Sequence, residues 1–300
     1  MMSNYKVSII IPVYNSEKFI KASFESVKKQ TFNFEDMEII FVNDKSTDES
    51  LEILKEFQKE NDNIFIYTTP EGKKGPGVAR NLGLIQATAD YVVFFDSDDI
   101  MNPEYIETIY EEITTSNVDL VKTAFSVNNG DFVIPFTQNL GKVEVSHSDV
   151  SILMDFLFLE PWCTIYNRKY LVKNNIRFIS EFNIHESFLF TVESIAKAKN
   201  GIVLLDNLQG QIWNLRDDGL HNTTLKEVDF EYTMHCLSEM LVKLIREDQP
   251  VQCVEKLTSF ILTLWAYDLF TSPEPMEVIN GFTFSKGFKA DPDVVTALFS

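Results

Sequence analysis

The sequence predicts an α/β fold, a mostly parallel and doubly wound sheet followed by a mainly helical C-terminal region. Three observations carry this. The first third alternates short apolar runs with amphipathic helical patterns in the order βαβαβαβ, with little chain to spare between them. One run, Tyr91-Val92-Val93-Phe94-Phe95, is apolar at every position, which suits a strand buried on both faces of a parallel sheet. It then ends abruptly in Asp96-Ser97-Asp98-Asp99, beyond the carboxyl end of a strand, where ligands of such sheets bind. Unpaired, these acids would repel one another. A divalent cation with oxygen ligands, its shell completed by a diphosphate, is the expected guest.

The elements follow in order. Val7 to Val13 reads as the first strand, followed by a helix with Ile20, Phe24 and Val27 on one face. Glu38 to Val42 is the second strand. Ser46, with Glu49 three residues on, predicts a capping box for a helix whose apolar stripe is Leu51, Leu54 and Phe57. Ile64 to Tyr67 forms a third strand, and a Gly- and Lys-rich loop leads to a helix from about Pro76. After the acidic run, Asn102-Pro103 predicts the cap and first residue of a helix over 103–116. Residues 118–147 read as short strands, with Asn128-Asn129-Gly130-Asp131 as a hairpin turn. Residues 148–175 and 185–199 read as helices around a middle segment holding Trp162, Cys163 and Tyr166; two more amphipathic helices are expected over 225–272, divided near Pro250. The resulting division is a ligand-binding domain over 1–222, its later part from about 118, and a helical region over 223–300. The apolar end is consistent with a chain shortened from something longer.

Composition narrows the function classes. Lys and Arg number 26 against 45 Asp and Glu, and the formal charge of -19 disfavours nucleic acid or an anionic membrane as a non-specific partner. The 3 cysteines have no close C-x-x-C spacing, which argues against a disulfide framework or a structural zinc site and fits a cytoplasmic protein. No apolar run reaches the roughly 20 residues of a membrane span.

Four blocks stand in order between residues 10 and 99: Ile10-Ile11-Pro12-Val13-Tyr14-Asn15, Val42-Asn43-Asp44-Lys45-Ser46-Thr47-Asp48, Gly77-Val78-Ala79-Arg80-Asn81-Leu82-Gly83, and Asp96-Ser97-Asp98-Asp99. Together they resemble the family 2 inverting glycosyltransferases of GT-A fold, a Rossmann-like α/β architecture, and are similar to bacterial wall teichoic acid and cell-surface glycan enzymes. The resemblance implies a UDP-sugar donor, Mn2+ or Mg2+ as cofactor, and a glycan, polyol-phosphate or lipid-linked acceptor met at the inner face of the membrane. A homo-oligomer is compatible with it.

Residue by residue, Asp96 would hold the ribose or donor sugar and Asp98 would ligate the metal, with Asp99 orienting neighbouring groups. Pro12 would end the first strand, so that Tyr14 offers its ring or backbone to a flat base. Asp44, at the end of the second strand, can accept a hydrogen bond from the uracil N3–H; the other reading is a cap shared with Ser46 and Asp48. Arg80, near a helix N-terminus after a flexible loop, suits an anionic ligand or the uridine edge; the other reading is an arginine on a solvated face. Gly75-x-Gly77 is no dinucleotide fingerprint, since it does not follow the first strand.

The second half resembles the family more loosely, through Asn167-Arg168-Lys169-Tyr170-Leu171, Asn175-Ile176-Arg177-Phe178 and His185-Glu186-Ser187-Phe188-Leu189-Phe190. In the family an aspartate follows the glutamate and acts as general base. Here Ser187 stands at that place, and a neutral hydroxyl cannot do that at neutral pH. Three readings stay open: Glu186 or His185 has taken over the role, the chain is catalytically altered, or the register is off by one. His221, in Arg216-Asp217-Asp218-Gly219-Leu220-His221, matches a histidine that completes the metal shell in related enzymes, with Arg216 facing the diphosphate; an imidazole ligand would favour Mn2+. Trp162 and Tyr166 serve either as sugar platforms or as core or lid. The alternatives are a nucleotide-sugar-binding protein with lost turnover and, more distantly, a two-metal nucleotidyltransferase.

Overall fold

The computed structural model describes residues 5–137, 139–154, 160–179, 186–215, 230–247 and 249–259. Strand β1 (Val7–Val13) pairs in parallel with β2 (Met37–Asn43), and β2 in turn with β3 (Ile64–Thr68). On the other side of β1 lies β4 (Tyr91–Phe94), also parallel. The crossovers are helices α1 (Ile20–Lys28), α2 (Ser50–Glu60) and α3 (Pro76–Gln86). The period of two along the strands divides the core. Ile9, Ile11, Ile39, Phe41 and Val93 face a cluster shared with Ile20, Phe24 and Val27 of α1 and Leu54 of α2. Ile10, Ile40, Val42, Val92 and Phe94 face the opposite cluster, with Ala79 and Leu84 of α3.

Beyond β4 the direction changes. The short β5 (Ile100–Met101) leads to α4 (Tyr105–Ser116) and to the nine-residue β6 (Leu120–Asn128). β7 (Val133–Phe136) folds back on β6 around the expected turn, and β8 (Lys142–Val145) follows. β9 (Thr164–Asn167) runs antiparallel to both β4 and β6 and fills the gap between them. β10 (Ile202–Asn214) pairs in parallel with β6 and antiparallel with β5 and β8. The sheet order is β3-β2-β1-β4-β9-β6-β10-β5.

Several local expectations are corrected. The helix expected over 148–175 is, in its described part, α5 (Ser151–Met154) and α6 (Arg168–Lys173) on either side of β9, because Ile165 and Tyr166 find strand partners on both sides. β10 was not expected at all, since Asp206, Asn207 and Gly210 interrupt its apolar pattern. The structure absorbs them as register shifts between Leu205 and Ile212, and the buried Asp206 accepts Leu140 N at 2.8 Å. The capping box of α2 does not form: Ser46 Oγ accepts from Asn15 N at 3.1 Å, while Asp48 Oδ1 accepts Ser50 N at 3.0 Å. Asn102 likewise does not cap α4 with its side chain, which donates to Gln209 O of β10, and the helix starts at Tyr105.

Helix α7 (Glu186–Ala196) packs against α8 (Phe230–Arg246), and Pro250 precedes a further helical stretch at 251–259. Leu237, Leu241, Leu244, Cys253 and Leu257 share one apolar cluster with Leu189 and Phe190, so residues on both sides of position 222 contribute to the same core.

Candidate active site

The carboxyl ends of β2, β1 and β4 form one edge, and the motif residues gather there. Asp44 continues past β2 by donating its N–H to Val13 O at 2.7 Å. Its buried carboxylate does not cap α2. Oδ1 accepts the Thr69 hydroxyl and Oδ2 the Gly75 N–H, each at 2.6 Å. Gly75, at φ 109°, takes a backbone conformation that a side chain would oppose, and this turns the loop so that Pro76 can open α3. Lys45 Nζ holds the same loop by donating to Pro70 O at 2.7 Å and Lys73 O at 2.6 Å. Pro12 lies one residue inside β1, opposite Val42, because the ladder continues through Val13. Tyr14 beyond it is exposed, 61% of its surface being open at the edge.

Arg80 is not on a solvated face. It is 5% exposed, and its guanidinium joins the acidic run after β4 to the start of α7. Nη2 donates to Asp96 Oδ1 at 2.8 Å, and Nη1 donates to Glu186 Oε1 at 3.0 Å and to Ser187 Oγ at 3.3 Å. The Phe178 ring lies under the cation, 5.4 Å from Cζ to its centroid. Burial works against the Arg80 charge, but Asp96 and Glu186 outweigh it and keep the guanidinium protonated. Burial raises the Glu186 carboxyl against the pull of Arg80. The close approach of α7 to α3 depends on Gly77, where an added Cβ would lie 3.0 Å from Glu186 Cγ and 3.2 Å from Phe178 Cβ.

The acidic run is pinned residue by residue. Asp96 binds Arg80, and the Ser97 hydroxyl lies 2.7 Å from that of Ser16. Asp99 is buried and its Oδ1 accepts Asn214 N at 2.9 Å, while Asn214 Nδ2 donates to Asp98 O at 2.7 Å. The end of β10 therefore sets the turn that leaves Asp98 partly exposed at the edge. Among the described residues no group of three or more His, Cys, Asp or Glu forms a ready metal cage. An ion bridged by nucleotide phosphates needs only one or two protein oxygens, and Asp98 offers such a hard donor, so the residues present fit Mn2+ or Mg2+. Arg216 and His221 lie outside the described residues, as does His185.

Trp162 and Tyr166 are buried. Trp162 meets Phe125 edge-on at 5.0 Å, and Tyr166 meets Phe94 at 5.9 Å and Phe190 at 5.6 Å, so both are core. Glu160, Ser16, Lys122 and Asn214 were not foreseen. Glu160 precedes β9 at the same edge and is only partly buried. Burial, and then the charge of Glu186, push its carboxyl up to about 7. No spacing in the sequence marks it, since its neighbours come from α3, β4, β6 and α7.

Residues 8–174 match the family described as glycosyl transferase family 2. Among curated relatives, a poly(ribitol-phosphate) beta-glucosyltransferase of Bacillus spizizenii is 33% identical over 201 residues, which cover 67% of this chain and 31% of that protein. The poly(ribitol-phosphate) beta-N-acetylglucosaminyltransferase TarS of Staphylococcus aureus is 28% identical, covering 78% of this chain and 40% of that one. This chain thus matches less than half the length of either relative. A crystal structure of S. aureus TarS residues 1–349 in complex with UDP-GlcNAc superposes with a TM-score of 0.73 at 26% identity, covering 98% of this chain and 79% of that one. No helix among the described residues is long and apolar enough to cross a membrane.

Proposed function

The chain belongs to glycosyl transferase family 2, and from that premise we propose that it moves a sugar from a UDP-sugar to a hydroxyl of a teichoic acid type or other cell-surface glycan acceptor, with inversion at the anomeric carbon. The observation that carries this is the Arg80 bridge. One guanidinium ties Asp96, just past the end of β4, to Glu186, at the start of the helix where the family places its acceptor-side groups. Donor and acceptor elements are thereby held in one geometry, which a transfer between two bound partners requires.

In this reading Asp44 and the loop it holds, with Tyr14 and Pro12, form the seat for the base. Both Asp44 oxygens already accept protein hydrogens, yet each keeps a second lone pair for the uracil N3–H. Asp96, steadied by Arg80, meets the ribose or donor sugar. Asp98, with His221, would hold Mn2+ or Mg2+, and Arg216 would face the diphosphate; the bound ion supplies neutralisation of the charge that grows on departing UDP. The acceptor oxygen attacks the anomeric carbon from the face opposite UDP. Glu186 positions Arg80, because its carboxylate is buried and its Oε1 is bound to Arg80 Nη1 at 3.0 Å, which leaves it little room to meet an acceptor hydroxyl. TarS is described with UDP-GlcNAc and the Bacillus relative as a glucosyltransferase, so UDP-GlcNAc and UDP-glucose are the first donors to try.

The test is UDP binding by calorimetry together with UDP release from UDP-GlcNAc, UDP-glucose and UDP-galactose, with Mn2+ or EDTA and water as the only acceptor. Metal-dependent release from one donor supports the reading and identifies the sugar. Absence of any UDP binding would sink it. Tight binding without release would favour the second reading, a nucleotide-sugar-binding protein with lost turnover, which Ser187 motivates.

A further inference from the structure

Inverting transfer needs a group to take the acceptor proton, and neither residue at the expected position supplies one. Ser187 is a hydroxyl that accepts from Arg80 and donates to Glu186 Oε1 at 3.3 Å, and Glu186 is bound to Arg80. A third carboxylate faces this cluster. Glu160 lies within electrostatic reach of Glu186, Arg80, Asp96 and Lys122. Arg80 spends its hydrogen bonds on Asp96, Glu186 and Ser187 and makes none to Glu160. Three carboxylates around one guanidinium, with Lys122 the next cation, leave Glu160 as the acid whose charge is least compensated.

The backbone fixes where Glu160 stands. Its carbonyl accepts from Lys122 Nζ at 3.0 Å. The next three carbonyls are held by Tyr166 Oη at 3.3 Å, by Gln211 Nε2, and by Thr123 N at 2.9 Å. β9 then starts at Thr164 and runs antiparallel to β4, with Ile165 opposite Val93. The segment 160–163 therefore emerges at the edge where β4 delivers Asp96 to Asp99, beside the start of α7. Glu160 remains partly open to solvent there, whereas Glu186 is buried.

We propose that Glu160 is the general base of this enzyme, in the role that the family gives to the aspartate whose position Ser187 occupies. The inference rests on the glycosyltransferase reading above. As the acceptor O–H loses its proton to a Glu160 carboxylate oxygen, the acceptor oxygen's electron pair forms the bond to the anomeric carbon. The bond from that carbon to the diphosphate oxygen breaks, and its electron pair leaves with UDP. The proton is lost from Glu160 to water before the next cycle. A carboxyl that titrates near neutrality is suited to this exchange, and Glu186, Asp96, Arg80 and Lys122 are the charged groups that face it.

The test compares wild type, Glu160→Gln, Glu160→Asp and Glu160→Gln/Ser187→Asp, using UDP release from UDP-GlcNAc and UDP-glucose between about pH 5 and 9, with UDP calorimetry in parallel. Wild-type turnover is expected to fall on the acid side with a midpoint near 7. Glu160→Gln should lose about 100-fold in kcat and the acid limb with it, keeping its UDP affinity, while Glu160→Asp and the double variant recover part of the rate. A thermal readout needs no turnover. The raised carboxyl costs folding stability above pH 7 and none below its ordinary value of 4.5, so Glu160→Gln should melt higher than wild type near pH 8 and equally near pH 4.5.

Glu160→Gln with kcat within about threefold of wild type and an intact acid limb would overturn the assignment while leaving the glycosyltransferase reading in place. A wild type that binds UDP yet hydrolyses no donor at any pH also counts against it, because a competent base would activate water. A wild type that binds no UDP removes the parent reading and this inference together.

Discussion

The first four strands and the last four in sheet order teach different lessons about how this chain builds a site. In β3-β2-β1-β4 every pairing is parallel, and in all but one the partners are joined by a single crossover helix. In β9-β6-β10-β5 the partners come from distant stretches, and β9 enters against the direction of both neighbours. The first region places donor-side groups at the ends of strands, where a regular fold puts them. The second carries its polar groups in loops and helix starts, and needs the first to hold them. Arg80 is the joint, and the variants that separate the two regions should have the largest effects.

Arg80→Ala should be the most damaging. It leaves Asp96 and the buried Glu186 without their cation, and a loss of about 3–5 kcal/mol in stability is expected by denaturant titration, with loss of UDP binding. Arg80→Lys should recover only part of this, since one ammonium cannot reproduce the forked contact to both acids. If Arg80→Ala were as stable as wild type, the two regions would not depend on each other as described.

Gly77→Ala tests the same seam through packing. The new Cβ must push Glu186 or Phe178 away, and a loss of about 1–3 kcal/mol is expected, with weaker turnover and near-normal UDP affinity. Asn214→Ala removes the hydrogen bond to Asp98 O at 2.7 Å, which is how the second region shapes the acidic turn of the first. It should cost about 1 kcal/mol and weaken UDP binding more in Mn2+ than in EDTA. Asp98→Ala should abolish any effect of Mn2+ on UDP affinity. UDP affinity unchanged by the substitution, with and without Mn2+, would remove Asp98 from the metal site.

The smallest effect is expected within one region. Lys6→Ala breaks the pair with Asp36 at 2.8 Å at the opposite end of β1, where Lys6 is solvent-exposed. It should leave stability, UDP affinity and kcat unchanged, because water and salt already screen such a pair. A marked effect there would mean that strain spreads along β1 more freely than its packing suggests.

The order of strands and helices through β4, the helix α4 after it, the buried nature of β4, the hairpin of β6 and β7 and the position of the acidic run could all be read from the chain alone. Each is written in neighbouring residues: a period of two or 3.6, a glycine beside a proline, an apolar run meeting carboxylates. The same local signals brought Asp44, Arg80 and Asp98 to one edge, because parallel strands end where the fold opens. β9 and β10 were not legible, since their strand state depends on partners far away in sequence and overrides their own pattern. Nor did sequence reveal that Asp99 accepts from Asn214 of β10, or that Arg80 is buried between two acids. The partnership of Glu160 with that cluster was equally hidden. Charge compensation and burial are properties of what surrounds a residue in space, so tertiary structure alone decided them, while the kinds of chemistry available at the edge were already present in the sequence.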